Sequence, residues 1–133
     1  MTEDKVQLFK LQLKALPLLE QRRQRLRVKY AQLEYTLRNV RGVDPSKEPS
    51  APGNDIRLEL IEQKDELEAQ IDIIGAQIER THIMLDLFSE GMQKILISIY
   101  CNGVPTVTIA EKLGYSESTL RRLINKKIAN TLN

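Results

Sequence analysis

From Leu60 to Phe88 the chain carries one unbroken rhythm. Leu60, Lys64, Leu67, Ile71, Ile74, Ile78, Thr81, Leu85 and Phe88 follow one another in alternating steps of four and three. On an α-helix such steps line up as one stripe, the seam of a coiled coil. Only Lys64 and Thr81 interrupt its apolar character. Asn54 or Asp55 can cap the start, and Glu59, Glu62, Asp65 and Glu66 suit the positive end of the helix dipole. A helix over residues 55–88 is therefore expected, about 50 Å long at ~1.5 Å per residue. Ile83, Met84 and Leu87 widen the stripe near its end, so that end is expected to pack against whatever follows.

A less regular seam precedes it. Leu26, Tyr30, Leu33, Leu37 and Val40 keep the same steps, and Leu19 extends them backwards by seven. Pro17 is expected to open this helix, over residues 17–41, because proline suits a first turn and breaks an interior. Before it, Val6, Leu8, Phe9, Leu11, Leu13 and Leu16 crowd a shorter helical segment with more apolar residues than one face needs. That segment is expected to pack on the C-terminal domain or on a second subunit. Between the two helices, residues 42–54 hold three prolines and two glycines, a composition that favours a mobile surface connection.

Charge is segregated. Residues 1–43 carry ten basic and four acidic groups, residues 56–90 three and nine, and residues 91–133 six and two. The basic and acidic helices can fold back on each other as an antiparallel coiled-coil hairpin, in which the apolar seam supplies most of the stability and exposed ion pairs about 0–1 kcal/mol each. Intermolecular pairing fits the same pattern, which leaves a homodimer through the coiled coil open. The run from Arg22 to Lys29 reads as a solvated face opposite the acidic helix rather than a second nucleic-acid contact. The net charge of the 133 residues is only +2 and says little about partners.

Cys101 is the single cysteine and His82 the single histidine, in different segments. Cys101 reads as a small buried helix residue and His82 as a helix-surface or boundary residue, with no metal-ligating company. No phosphate-cradling glycine loop or nucleophile elbow is present. No apolar run approaches the ~20 residues that span a membrane, and the acidic Met1-Thr2-Glu3-Asp4 lacks the basic start of a secretory signal. The expectation is a cytoplasmic, nucleoid-associated protein with no membrane partner, no cofactor, no metal and no enzymatic activity.

The segment from Thr106 to Leu123 carries the function. Two short amphipathic helices meet there at a tight turn, the layout of a helix-turn-helix, in which one helix braces another that enters a DNA major groove. Ala110 falls where the helices cross closest. Gly114 suits a left-handed helix end, and Ser116 can cap the second helix. Ile109, Leu113, Leu120 and Leu123 are expected to point inward. The other face carries Glu117, Ser118, Thr119, Arg121, Arg122 and Asn125, with Lys126 and Lys127 following. Arginine pairs bidentately with guanine and asparagine with adenine, while serine and lysine hold phosphates. An ordinary helical hairpin with a solvated basic face is the plainer alternative.

Residues 89–132 resemble region 4 of the bacterial sigma-70 family. The run Met92-Gln93-Lys94-Ile95-Leu96-Ile97-Ser98-Ile99-Tyr100 looks like the helix before that family's motif, followed by an Asn102-Gly103 break and then Ile109-Ala110-Glu111-Lys112-Leu113-Gly114-Tyr115-Ser116. The order of long helix, Pro/Gly-rich linker, long helix and this domain is similar to the small phage regulators of the RinA/ArpU type, activators of late genes. The resemblance implies an all-α fold: residues 1–88 form the antiparallel coiled-coil hairpin and residues 89–133 the sigma-70 region 4-like helix-turn-helix domain. It also implies that Ser116, Glu117, Ser118, Arg121 and Arg122 occupy recognition-helix positions, and that Thr106 and Thr108 meet phosphates. Glu117 and Thr119 stand where sigma proteins often have basic residues, and Pro105 replaces a capping Thr or Ser. The −35 preference of that family is therefore not carried over.

The leading expectation is a sequence-specific, duplex-DNA-binding transcriptional regulator, an activator of late genes from a phage or mobile element, with RNA polymerase or a sigma factor as a second partner. Two other classes fit the same layout. A small terminase-like packaging subunit also joins a DNA-binding helical domain to coiled coils, and would assemble as a ring. An interaction module gripping polymerase or sigma without touching DNA would bind no duplex.

Overall fold

The computed structural model describes residues 2–41 and 52–133, and all of their regular structure is helical. The elements are α1 (Thr2–Arg41), α2 (Pro52–Leu85), α3 (Glu90–Leu96), a π-helical turn (Ile97–Cys101), α4 (Thr106–Leu113) and α5 (Glu117–Thr131). They form two compact units: Met1–Glu20 with Gln77–Asn133, and Gln21–Ala76. The unit holding the C-terminal helices thus reaches beyond the expected residues 89–133, taking in the start of α1 and the end of α2. Residues 42–51 of the linker lie outside the described residues, whereas Pro52, Gly53 and Asn54 already belong to α2.

The first unit has a three-dimensional core. Val6, Phe9 and Leu13 of α1 join Leu85 and Phe88, then Leu96 of α3, Ala110 of α4 and Leu120, Ile124 and Ile128 of α5. The rings of Phe9 and Phe88 stack 5.4 Å apart at 13°. The N-terminal apolar residues therefore pack as expected on the C-terminal helices, and the surplus, Leu8 and Leu11, stays exposed. Phe88 completes the seam although α2 ends at Leu85. Bonds reaching three residues back, from Leu87 N–H to Met84 O (3.2 Å) and Phe88 N–H to Leu85 O (3.1 Å), turn the chain tightly and keep the ring inward. Ser89 then caps α3, accepting from Met92 N–H at 3.3 Å.

Pro17 corrects an expectation. It does not open a helix but lies inside the 40-residue α1. Proline has no N–H to give to the carbonyl four residues earlier, here Leu13, and Leu13 is fully buried. An unpaired buried carbonyl is costly. The Cys101 thiol donates to Leu13 O at 3.3 Å, from 88 residues away in sequence. A tertiary donor thus stands in for the missing backbone one, and the helix continues. Cys101 itself is half-buried, in the π-helical turn rather than a regular helix.

The second unit is thinner. Leu26, Leu37 and Ile74 are buried, while Tyr30, Leu33, Leu60, Lys64, Leu67 and Ile71 are half-buried. Arg23 lies beside Gly75, and Lys64 sits 3.6 Å from Glu34 and 5.3 Å from the Tyr30 ring centroid. These contacts run in opposite sequence order along α1 and α2. Arg22, Arg25, Arg27 and Lys29 are exposed, a solvated face.

Candidate functional site

The C-terminal helices are set by their ends. α4 starts after Pro105, whose side chain offers no cap but whose carbonyl accepts from Thr108 N–H at 3.0 Å and Ile109 N–H at 3.4 Å. It stops at Gly114, where φ is +77°, a conformation a Cβ would strain. Gly114 N–H donates to Glu111 O (3.3 Å) and Tyr115 N–H to Ala110 O (2.9 Å), the paired bonds of a glycine-terminated helix. Two residues later Ser116 caps α5, accepting from Thr119 N–H at 3.2 Å and donating to Thr119 Oγ1 at 2.7 Å. Three residues therefore turn the chain from α4 into α5, and both orphan ends are satisfied locally.

Burial fixes the inner face of α5. Leu120, Ile124 and Ile128 are buried at steps of four, and Ala110 meets them from α4. Leu113, expected inside, is 46% exposed, while Ile109 and Leu123 are only half-buried. Ile124 and Ile128 escaped the sequence reading, although their spacing from Leu120 was the available signal.

With that face inward, helical geometry points Ser118, Arg122 and Lys126 directly away from the core. All three are exposed, as are Arg121, Asn125 and Lys127. Glu117, Thr119, Thr106 and Thr108 are half-buried. Several candidates are already engaged. Arg121 Nη2 donates to Glu117 Oε1 at 2.6 Å within the helix, and the Ser116 hydroxyl is occupied by its cap. Asn125 Oδ1 accepts from Lys10 Nζ of α1 at 2.5 Å.

α1 thus runs beside one edge of the α5 surface, which no local pattern could reveal across 115 residues of sequence. Lys10 Nζ also sits 5.8 Å from the Tyr100 ring centroid. Burial, then the charges of Lys14 and Arg121, hold the Lys10 pKa below the ordinary lysine range. Burial raises the Tyr100 hydroxyl, with Arg121 pulling the other way. Further along, Glu3, Asp4 and Gln7 of α1 line a cleft with Asn125 and Lys126. His82 is exposed, its Nε2 3.6 Å from Glu20.

Among the described residues, no group of three or more His, Cys, Asp or Glu side chains could hold a metal, and no helix is long and apolar enough to cross a membrane. Compared with known protein families, curated proteins and solved structures, the chain matches none.

Proposed function

We propose that the chain is a sequence-specific DNA-binding transcriptional regulator, in which α4 and α5 act as a helix-turn-helix. The observation that carries this reading is the exposed row Ser118, Arg122 and Lys126 on a capped helix whose opposite face is sealed by Leu120, Ile124 and Ile128. A rigid helix with a polar and cationic outer row suits a major groove. Arg122 reads a guanine edge, Ser118 and Lys126 hold phosphates or neighbouring bases, and Thr106 and Thr108 approach the backbone from α4. Arg121 takes part by leaving Glu117 for a base or phosphate.

Residues 21–76 form an antiparallel coiled-coil hairpin in this reading, a surface for dimerisation or for RNA polymerase or its sigma factor. The sequence likeness to phage late-gene activators of the RinA/ArpU type supplies the biological setting. A gel-shift assay on fragments from around the gene tests the core of the reading. Wild-type protein is expected to prefer one fragment, with affinity falling steeply as salt rises. Arg122→Ala should cost about 1–3 kcal/mol at the preferred site and relax its sequence preference. Equal binding to every duplex, or none, would sink it.

A further inference from the structure

The α5 surface does not end at α5. Lys10 is hydrogen-bonded to Asn125, and Lys14 lies one turn further along α1 on the same side of the helix, exposed. Lys14 and Arg121 each lie close enough to Lys10 to act on it electrostatically. The partners present do not neutralise the lysines. Asn125 offers Lys10 a neutral acceptor and Tyr100 a ring face, whereas Glu117 is engaged with Arg121. Three cations from two helices thus converge at the edge of the surface read above as DNA-binding.

We propose that Lys10 and Lys14 of α1, with Arg121 of α5, form a seat for a DNA backbone phosphate beside the reading helix. The seat rests on the DNA-binding reading and extends it to a helix that no motif marked. A phosphodiester oxygen supplies the anion the two lysines lack and draws Arg121 away from Glu117. Glu3 lines a cleft with Lys126, about two turns earlier on α1, so the Lys10 end is the more cationic side of this edge. The seat also acts on base reading. As Lys10 turns to phosphate it releases Asn125 Oδ1, and the Asn125 amide then has both the acceptor and the donor that adenine requires.

Lys14→Ala and Lys10→Gln test the seat in the full chain, by fluorescence anisotropy on the preferred duplex and on an unrelated one across a salt series. Each lysine lost should lower the slope of log affinity against log salt by about 0.9, which is roughly fivefold in affinity at 0.15 M salt. Phosphate contacts weaken both duplexes alike, so the ratio between them should hold for Lys14→Ala. An inactive protein fraction would lower apparent affinity without changing the slope, which separates misfolding from a lost contact. Wild-type slopes in both variants overturn the seat and leave the DNA reading standing. A loss confined to the preferred duplex in Lys14→Ala also overturns it, since the lysine would then be reading bases. Wild-type protein that binds no duplex overturns seat and reading together.

Discussion

The two compact units use the same two helices to opposite effect. In the first, α1 and α2 are closed in by α3, α4 and α5, so Phe9, Leu13, Leu96, Leu120, Ile124 and Ile128 reach full burial. In the second, among the described residues, α1 and α2 have only each other, and even the best-covered residues, Leu26, Leu37 and Ile74, keep 5–7% of their surface. A two-helix seam cannot surround a side chain, because each helix covers only one side of it. The lesson is one of dimension: a heptad rhythm is enough to mark a seam, but a sealed core needs a third and fourth wall.

The largest expected effect tests this contrast directly. Phe9→Ala removes a stacked, fully buried ring and should cost the first unit about 3–5 kcal/mol, whereas Leu26→Ala should cost the second nearer 2 kcal/mol, because its neighbours can hydrate or close up. Native-state hydrogen exchange, read separately over residues 21–40 and 117–131, would follow each unit. Equal costs would break the comparison.

The next effect concerns how the first unit tolerates Pro17. Pro17→Ala returns an N–H to the Leu13 carbonyl and should stabilise α1 by up to about 3 kcal/mol. Cys101→Ala in the natural chain leaves that carbonyl without a donor, at about 1–3 kcal/mol. In the Pro17→Ala background the same change should cost about 1 kcal/mol less, a coupling that a double-mutant cycle in urea would measure. Independent, additive effects would mean that the thiol does not replace the lost backbone bond.

That pair also explains which parts of the fold were legible in the sequence. The seam was: Ile74, Ile78, Thr81, Leu85 and Phe88 are buried, and Leu60, Lys64, Leu67 and Ile71 are half-buried, in the expected register. Gly114 and Ser116 were too, because helix ends obey local rules that involve only a few neighbours. Pro17 was not, because a local rule was overruled by a donor 84 residues downstream of it. Lys10 could not be read as a neighbour of Asn125 for the same reason, since only folding brings α1 beside α5. Leu113 shows the remaining gap: periodicity names a face, but the packing of neighbouring helices decides how far that face is covered.

Alkaline pH should tell on the first unit through Cys101 and Tyr100. Burial, with Glu20 adding to it, holds the Cys101 pKa above its ordinary 9.0, and burial raises Tyr100 above 10.0. A raised folded value means the contribution is whole below the unfolded pKa and fades as pH climbs past it. The contribution of Cys101 and Tyr100 should therefore begin to fall above pH 9, against an opposite slope from Lys10, whose lowered pKa adds stability as pH rises. The difference between wild type and Cys101→Ser should isolate the earlier part of that decline. At pH 8.5 a thiol reagent should label the native chain several-fold more slowly than the urea-unfolded one. Equal rates would place the thiol in free solution rather than on Leu13. Of similar or smaller size, Ser116→Ala should cost about 1 kcal/mol by uncapping α5.

The smallest effect belongs to the second unit, where Lys64 occupies a seam position that its neighbours fill with apolar residues. Its ammonium lies over the Tyr30 ring and 3.6 Å from Glu34, with side-chain exposures of 28% and 35% for the ion pair. Partly solvated pairs contribute little, so Glu34→Gln should cost only about 0.2–1 kcal/mol. Lys64→Leu extends the apolar stripe and should leave stability equal or raise it by up to about 1 kcal/mol. A single polar seam residue has a different use, which is to fix which residues face each other. Lys64→Leu should therefore keep or raise the melting temperature while letting α1 and α2 slip. Spin labels on cysteines introduced at Arg23 and Gly75 in a Cys101→Ser background would detect this as a shifted or broadened distance distribution. An unchanged distance distribution in the Lys64→Leu chain would show that the apolar steps alone hold the register, and that the charged interruption adds nothing to it.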